Sequence, residues 1–561
     1  MSYDKVREHL DYPEKTMYQL VEDIGLANPK VCAYEFMGKK TSYASLLKRI
    51  DKVAKAFQAL GIKRDDRVTL CLPNVPQAVD CFYSLDRIGA VANMVHPQSA
   101  QNEITFYLNI SKSKAIVTLD MFTETVEAAV ANADHPVTVI VARMQDELLP
   151  HLAAAYVIKT GKQYLKYPNT AHAMTYKDFL KLGKNETLPD NIFDINHTAA
   201  ILYSGGTSGL PKGICLTDAN FNATALQARE AIQQAFDPGM KILTCMPLFH
   251  GFGLGINLHT AIIHGITGIL MPTFTPKSYA QNLMKKKPNF IAGVPTIFDA
   301  LLHIDELEKA DLSFLLGMFC GGDSLTVELK KKIDTFLKEH NASIQVREGY
   351  GLTECVTASC LTPRDTYKPG SIGLPFPDTV YAIVRPGTDE VMPAGEEGEI
   401  ILRGPSVMKG YLDNEEETND TLRKLPDGNI WLYTGDLGMM DEDGYIYFKQ
   451  RIKRMIITNG YNVYPGQLEN VIDGMPEVAY SCVIGVKDPR RVQRVRAYVV
   501  LNKGYEPSEE MKQKIMDTLK VHIAKYALPK EIIFKDSLPK TLVGKVAFRK
   551  LEEEANSETS E

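Results

Sequence analysis

Hydrophobic positions in the first 150 residues follow two alternating periods. Residues 42–60 carry apolar side chains at helical spacing, and Gly61 directly after them is a natural helix C-cap. The runs 67–73, 114–119 and 137–142 are short and apolar, as buried strands are. Strands that alternate with helices are typical of parallel sheets with crossover helices. We therefore predict an α/β fold built on parallel sheets.

The pattern changes after residue 370. Residues 381–404 are strand-like pieces broken by Pro-Gly and Ala-Gly turns, which predicts antiparallel hairpins or a small β-barrel. A further hairpin is predicted over 441–454, followed by a compact α+β unit, and residues 552–561 look like a frayed acidic tail. We expect a large multi-subdomain N-terminal domain over residues 1–452 and a small, mobile α+β C-terminal domain over 453–561.

Composition narrows the classes of protein that fit. The 561 residues are 45% hydrophobic and 24% charged with a net charge of −6, typical of a globular protein and unlike a nucleic-acid binder. The nine cysteines are scattered without a C-x-x-C pair, which favours reduced thiols in a cytosol. The first 15 residues lack a signal-peptide core, and the apolar stretch 261–271 is too short to span a bilayer. We expect a soluble, cytoplasmic protein, with peripheral membrane contact and a homodimer left open.

The densest local signal is LYSGGTSGLPKG, residues 202–213. It matches neither the P-loop nor the dinucleotide-binding pattern. Its glycines can turn backbone N–H groups inward, and Lys212 adds a positive charge, so the loop is suited to hold phosphates. A solvated Gly/Ser turn is the plain alternative, which Pro211 followed by Lys212 makes less attractive.

Three later motifs carry residues suited to a nucleotide. In REGYGLTE, Tyr350 lies between Gly349 and Gly351 and can stack on a flat ligand, while the Thr and Glu that follow offer oxygen ligands for Mg²⁺. Asp436 of YTGDL could accept hydrogen bonds from ribose hydroxyls, although a turn or N-cap role is the usual one. Arg451, beyond the following hairpin, could hydrogen-bond the same ribose or a phosphate, whereas Lys545 considered alone would be an ordinary surface lysine.

Together and in this order, these motifs resemble those of the adenylate-forming superfamily, which includes acyl-CoA and aryl-CoA synthetases, luciferase-type enzymes and peptide-synthetase adenylation domains. The matching segments are YSGGTSGLPKG, GYGLTE, YTGD, QRIKRMIITNGYNVYP and PKTLVGK, and the resemblance spans residues 41 to 551. It implies a two-step reaction. A carboxylate attacks the α-phosphate of ATP, pyrophosphate leaves, and the thiol of coenzyme A then attacks the acyl-adenylate.

The resemblance also implies a role for each site residue. Mg²⁺ is the implied cofactor, with Glu354 and Thr207 beside it, and ATP and CoA are co-substrates. Lys545 would bridge the carboxylate and the α-phosphate, with Thr353 also on that phosphate. The residues implied to bind ATP are Thr207, Ser208, Gly209, Lys212, Gly349, Tyr350, Gly351, Asp436 and Arg451.

The resemblance also implies which residues contact the acid and the thiol, and which residue acts as the hinge between the two steps. The C-terminal domain would rotate about Lys453 and bring Asn459, Gly460 and Tyr461 to the CoA side. The residues implied to form the acid-binding pocket or its gate are His250, Phe252, Gly293, Val294 and Gly321. Ile457, Asn459 and Gln467 depart from the common family pattern, as do Asp323 and Ser324, so the CoA contacts of other members do not transfer directly.

The identity of the acid rests on the pocket segments. Amino-acid activators keep an aspartate where this chain has PLFHGFGLG, and small apolar residues there suit an acyl chain. We expect a medium- or long-chain fatty acid, with an aryl, alicyclic or steroid acid as the alternative. An enzyme that loads a carrier protein, and a catalytically dead nucleotide-binding protein, are two further alternatives. The missing aspartate argues against the first, and the retained Lys545, Glu354 and Asp436 argue against the second.

Overall fold

The computed structural model describes residues 7–160, 172–188, 194–204, 211–458, 461–488, 492–540 and 546–558, without the side chains at 160, 453, 461, 462 and 558. Its strands are β1 Cys32–Phe36, β2 Lys39–Ser42, β3 Arg67–Cys71, β4 Val91–Met94, β5 Ala115–Leu119, β6 Thr138–Ala142, β7 Ala173–Thr175, β8 Thr198–Ser204, β9 Lys212–Thr217, β10 Lys241–Thr244, β11 Thr267–Leu270, β12 Phe290–Gly293, β13 Gly317–Cys320, β14 Val346–Tyr350, β15 Cys360–Leu361, β16 Leu374–Pro375, β17 Val380–Val384, β18 Gly398–Arg403, β19 Gly410–Tyr411, β20 Leu422–Lys424, β21 Ile430–Met440, β22 Ile446–Arg451, β23 Ile456–Thr458, β24 Tyr461–Val463, β25 Val478–Asp488, β26 Val492–Leu501 and β27 Glu531–Phe534.

The α-helices are α1 Met17–Ala27, α2 Tyr43–Ala59, α3 Pro76–Arg87, α4 Gln101–Ser111, α5 Thr123–Ala131, α6 Pro150–Thr160, α7 Tyr176–Leu182, α8 Asp218–Ile232, α9 Ala261–Ile263, α10 Pro276–Lys286, α11 Pro295–Leu301, α12 Val327–Glu339, α13 Glu415–Thr421, α14 Pro465–Asp473, α15 Glu509–His522 and α16 Phe548–Glu558. Residues Phe252–Thr260 form a π-helix that runs directly into α9. None of the described helices is both long enough and apolar enough to cross a membrane.

Two large sheets form the N-terminal part of the chain. One has nine strands in the order β16-β15-β14-β13-β12-β10-β11-β1-β2, and the other has eight in the order β19-β9-β8-β4-β3-β5-β6-β7. Their central strands are parallel, and antiparallel pairs occur towards the edges. The helices that connect successive parallel strands cover the sheets, as the alternating sequence pattern predicts.

Two smaller sheets follow. Strands β17, β18, β20, β21 and β22 form an antiparallel sheet in which the long β21 pairs with three of the others. Strands β23–β27 form a five-stranded sheet near the C-terminus. Leu468, Val495, Ile515 and Leu519 belong to a separate hydrophobic cluster there. The mixed α/β fold class, with a smaller α+β unit at the C-terminal end, is confirmed.

Local sequence signals explain several boundaries. Helix α2 begins after Ser42, whose hydroxyl accepts a hydrogen bond from Ser45 N, and it ends before Gly61, which has a φ of +87°. The frayed tail predicted over 552–561 is wrong through residue 558, because α16 continues to that point. Leu551 and Ala555, four residues apart, are buried against β25, so packing on the sheet holds the acidic helix in place.

The thiols follow the expectation from composition. All nine cysteines are free, and eight are buried. Burial raises the pKa of Cys71 to about 12 and that of Cys355 to about 11, so these thiols stay protonated. They therefore act as small core side chains rather than nucleophiles.

A buried carboxyl pair ties α1 to α3 and α8. Asp86 Oδ2 accepts a hydrogen bond from Tyr18 N at 2.5 Å, and Asp218 Oδ1 accepts one from Met17 N at 2.7 Å. Burial raises the pKa of both carboxyl groups, and the charge of Asp86 raises that of Asp218 further. The two acids thus accept hydrogen bonds from the first N–H groups of α1, and we infer that they share a proton.

This pair predicts an unusual pH dependence of stability. Because the folded pKa values are raised, the fold keeps a proton that the unfolded chain releases near pH 4, so stability falls as pH rises above that value. In Asp218→Asn the amide oxygen can still accept from Met17 N, and the amide can donate to Asp86. We expect its melting temperature to exceed that of the wild type by about 2 °C at pH 8, with a smaller gain at pH 5.

The measurement is a thermal melt across this pH range. Glu14→Gln, which removes one negative charge from an exposed residue, is the control for net charge. His197 Nδ1 lies 3.4 Å from Asp218 Oδ2. A gain that is equal at both pH values, or equal in the control, would contradict a shared proton.

Candidate active site

The carboxyl ends of three neighbouring parallel strands meet at one edge of the nine-stranded sheet. Gly321, just after β13, donates from its N–H to Gly293 O of β12 at 3.1 Å. A Cβ at position 321 would lie 2.9 Å from Gly349 O of β14 and 3.9 Å from the Phe252 ring. A Cβ at the following glycine would lie 3.4 Å from Val294 Cγ1. The predicted pocket residues Gly293, Val294, Gly321 and Phe252 therefore lie together at the strand ends, where ligands of α/β sheets commonly bind.

Immediately after β14 the chain reverses sharply. Gly351 has no room for a side chain, because a Cβ there would lie 2.0 Å from Thr357 O. Between these residues, Thr353 and Glu354 lie on a single 3₁₀ turn, Thr353–Cys355. This tight reversal places the hydroxyl and carboxylate of the motif beside the ends of the sheet strands.

A strained turn completes the reversal. Val356 has φ +65° and ψ −60°, and Thr357 N donates to Cys355 O at 2.7 Å, so the three residues form a γ-turn. A β-branched residue disfavours this conformation, which costs on the order of 1–3 kcal/mol. Strain of this size persists only where the surroundings hold the backbone in place.

Those surroundings come from the glycines next to and within the π-helix. A Cβ at Gly251 would lie 1.8 Å from Val356 O, and one at Gly255 would lie 2.8 Å from Val356 Cγ1. His250, one residue earlier, accepts a hydrogen bond on Nδ1 from Phe252 N at 3.3 Å. The predicted pocket residues His250 and Phe252 are thereby packed directly against the loop that carries Glu354.

Tyr350, Asp436 and Arg451 meet where β14 approaches the antiparallel sheet. The Tyr350 hydroxyl donates to Asp436 Oδ2 at 2.7 Å, and Arg451 Nε lies 3.4 Å from Asp436 Oδ1. Asp436 and Arg451 are direct partners across β21 and β22. Burial, followed by the charge of Asp436, raises the pKa of Tyr350, so the phenol stays protonated and acts as the donor. The charge of Asp436 is the main cause that raises the pKa of Arg451.

Glu354 and Lys212 are connected through Tyr411. The Tyr411 hydroxyl donates to Glu354 Oε1 at 3.0 Å, and Lys212 Nζ lies over the Tyr411 ring, 5.1 Å from its centroid. The same ammonium group also forms an ion pair with Glu417 on α13. The last lysine of the glycine-rich motif and the glutamate of GYGLTE, 142 positions apart, thus contact the same tyrosine.

A buried glutamate supports the loop after β13. Glu348 Oε1 accepts a hydrogen bond from Leu325 N at 3.0 Å, and burial raises the pKa of Glu348 to about 8. The side chain connects β14 to the segment GGDSL, residues 321–325, whose resemblance to the family motif is loose. It therefore fixes the loop that carries Gly321 relative to Tyr350.

Several predicted residues lie outside the described part of the chain. These are Thr207, Ser208 and Gly209 of the glycine-rich loop, Lys545, and Asn459 and Gly460. Lys453 lies on the 3₁₀ turn Ile452–Arg454 and Tyr461 begins β24, but their side chains are outside the description. The roles predicted for all of these residues stay predictions.

Sequence reasoning missed Tyr411, Glu417 and Val356. Tyr411 follows Gly410 in a two-residue strand, a pattern too short to stand out in a chain of this length. Glu417 is one of three consecutive glutamates, and only the fold shows that it contacts Lys212. Val356 lies two residues after the end of the GYGLTE motif, but its positive φ cannot be recognised from the sequence.

The side chains of the site provide few ligands for a metal ion. Among the described residues, no three His, Cys, Asp or Glu side chains are grouped closely enough to hold an ion. Glu354 offers one carboxylate, which fits the usual way in which Mg²⁺ binds through one or two carboxylates and the phosphates of a substrate. The residues therefore fit a magnesium ion that arrives with a nucleotide.

Comparisons with known proteins agree with this geometry. Residues 22–412 match the model of the AMP-binding enzyme family, and residues 467–545 match the AMP-binding enzyme C-terminal domain. The chain is 34% identical to a long-chain-fatty-acid–CoA ligase of Bacillus subtilis (strain 168), over 98% of this chain and 96% of that protein.

Two solved structures are also similar. ATP-bound MatB from Rhodopseudomonas palustris has a TM-score of 0.81 at 26% identity, covering 96% of this chain and 99% of that one. A Mycobacterium tuberculosis fatty acyl CoA synthetase has a TM-score of 0.72 at 25% identity, covering 98% and 100%. Given the matched family models and the nearly full-length relative, this chain belongs to the AMP-binding enzyme family.

Proposed function

We propose that the protein is an ATP-dependent acyl-CoA synthetase that activates a medium- or long-chain fatty acid. In the first step, an oxygen of the fatty-acid carboxylate bonds to the α-phosphorus of ATP, and the bond to pyrophosphate breaks. In the second step, the CoA sulfur bonds to the acyl carbon, the thiol proton is lost, and AMP leaves. The main support is that four separate parts of the chain contribute to the contacts that link Tyr350 to Asp436 and, through Tyr411, Glu354 to Lys212.

The nucleotide roles follow from chemistry at each position. Tyr350 can present its ring to the adenine, and Asp436, which is buried, can accept hydrogen bonds from ribose hydroxyls with Arg451 beside it. Lys212, with the glycine-rich loop, would hold the phosphates that leave, and Thr353 would contact the α-phosphate. Catalysis is then mainly positioning and stabilisation of developing charge.

Magnesium is the cofactor that this site would use. When bound with ATP, it would neutralise part of the polyphosphate charge, and Glu354, with Thr207, would be its protein ligands. Tyr411 holds one Glu354 oxygen by its hydrogen bond and so limits how the carboxylate can turn. The cytoplasm, where ATP and CoA are available to a protein with reduced thiols, is the expected compartment.

The fatty-acid assignment rests on similarity and on the pocket. The Bacillus subtilis relative, with 34% identity over nearly the full length, is named for long-chain fatty acids. The strand ends carry glycine backbone, Phe252 and Val294, and this apolar set suits an alkyl chain better than a charged one. Both observations favour a fatty acid over an amino acid.

Lys545 would come from the C-terminal part of the chain, taken as residues 453–561. Lys540 and Val546, which flank it, form an antiparallel bridge. Burial raises the pKa of Asp299 on α11, and the charge of Lys540 is among those that oppose this rise. Lys540 therefore lies within electrostatic range of α11, the helix that follows Val294, and this supports a Lys545 that reaches the acid.

The proposal is tested by ATP–pyrophosphate exchange with a panel of acids, followed by a CoA-thioester assay. The panel contains decanoate, palmitate, cinnamate, benzoate, a steroid acid and an amino acid. We expect exchange and thioester formation with decanoate or palmitate at rates at least about tenfold above the others. Preference for an aromatic or steroid acid would select the aryl or alicyclic alternative, and exchange with none would defeat the enzyme assignment.

Lys545→Ala separates the two half-reactions. We expect it to lower adenylate formation by about a thousandfold or more, because the lysine stabilises charge only in that step. Thioester formation from supplied acyl-adenylate should stay within about threefold of wild type. Lys550→Ala, an exposed lysine on α16, is the matched control. Equal loss in both half-reactions would contradict this division of labour.

Asp436→Asn tests the ribose assignment. Hydrogen bonds to a charged group contribute about 1.5–3 kcal/mol, so kcat/KM for ATP should fall about ten- to a hundredfold. The substitution should also shrink the preference for ATP over 2′-deoxy-ATP, because the amide accepts through one oxygen only. Tyr350→Phe keeps the ring and serves as the comparison. An unchanged preference for ATP over 2′-deoxy-ATP would show that Asp436 does not bind the ribose.

A further inference from the structure

The ammonium group that would hold the leaving phosphates already has a negative partner. Lys212 Nζ forms an ion pair with Glu417, and its side chain is only 14% exposed while that of Glu417 is 35% exposed. A polyphosphate that binds Lys212 must therefore compete with a carboxylate of the protein itself. This contact belongs to none of the motifs that identify the family.

Neighbouring contacts hold the pair in place from both sides. Lys212 begins β9, which pairs with β19 through Ile214 and Tyr411, and the Tyr411 ring lies beneath the ammonium group. On the other side, Tyr411 N donates to Thr418 Oγ1 at 2.9 Å, which fixes α13 against the same strand. Glu417 N donates to Asn414 Oδ1 at 3.1 Å. The lysine and the glutamate are thus both anchored to β19.

We propose that Glu417 is a positioning residue that acts as an exchangeable counter-ion for Lys212. It neutralises the lysine in the nucleotide-free enzyme, is displaced when the β- and γ-phosphates bind, and pairs with the lysine again as pyrophosphate leaves. This inference rests on the proposed function, since it assigns a carboxylate to the pyrophosphate end of the same site.

Electrostatics gives the direction of the effect. A mostly buried ammonium without a partner attracts any polyanion strongly, because the protein screens charges less than water does. Such a site would bind the product pyrophosphate as firmly as the phosphates of ATP and would delay its release. A competing carboxylate weakens the binding of both pyrophosphate and ATP. The binding of AMP is unaffected, because AMP lacks the β- and γ-phosphates.

The matched test compares Glu417→Gln with Glu416→Gln. Gln keeps the size of the side chain, and Glu416 is an exposed glutamate in the same helical turn. Binding of pyrophosphate, of ATP and of AMP is measured by titration calorimetry, with a thermal melt to confirm folding. For Glu417→Gln we expect about five- to tenfold tighter binding of pyrophosphate and ATP, an unchanged affinity for AMP, and stronger product inhibition by pyrophosphate. Glu416→Gln should stay within about twofold of wild type.

A double-mutant cycle shows whether the effect passes through the lysine. Lys212→Met alone should weaken pyrophosphate binding, and adding Glu417→Gln to it should give no further gain. A gain that persists without Lys212 would mean that Glu417 repels phosphate directly and would overturn the counter-ion role. Unchanged or weaker pyrophosphate binding in Glu417→Gln, or an equal gain for AMP, would overturn it as well.

The two proposals fail in different ways. If the wild-type protein binds neither ATP nor pyrophosphate and supports no exchange, the proposed function itself is wrong. If exchange proceeds with a fatty acid while Glu417→Gln behaves like Glu416→Gln, only the counter-ion inference fails.

Discussion

The site depends on the close approach of one strained turn to a row of glycines. The Val356 carbonyl lies so near Gly251 that no Cβ fits between them, and the valine side chain lies against Gly255. This packing holds a γ-turn that a β-branched residue would otherwise leave. Because Thr353 and Glu354 lie on the preceding turn, the same packing fixes where the hydroxyl and the carboxylate point. The π-helix and the turn that carries Thr353 and Glu354 are therefore packed directly against each other.

Charges in this site are arranged as pairs that a nucleotide can rearrange. Asp436 has Tyr350 and Arg451 as partners, and Lys212 has Glu417. Each group is thereby held in a fixed orientation in a partly dry environment, where an unpaired charge would be costly. In the proposed reaction, a bound polyphosphate would take the place of one of these partners instead of bringing a new charge into a low-dielectric space, which would keep both its binding and its release moderate.

Sequence patterns predicted much of the framework because their physical causes are local. The helical period of 42–60 and the cap at Gly61 give α2, and the short apolar runs give β3, β5 and β6 nearly as predicted. The prediction of a frayed tail at the acidic end of α16 was wrong. Two buried apolar residues, Leu551 and Ala555, hold this helix, and they stabilise it only because β25 lies beside them. Composition near a chain end describes solubility and says little about a helix that has a sheet to pack on.

The sequence alone determined the family and proposed which residues would face a nucleotide, because each motif carries its own chemistry within a few positions. Tyr350 between two glycines and Asp436 after Gly435 can be recognised without knowing their neighbours. Tertiary structure alone decided that Tyr411 joins Lys212 to Glu354 and that Glu417, among three glutamates in a row, pairs with the lysine. Those contacts join residues 57 to 205 positions apart, and no local pattern records a partner that only the fold brings within reach.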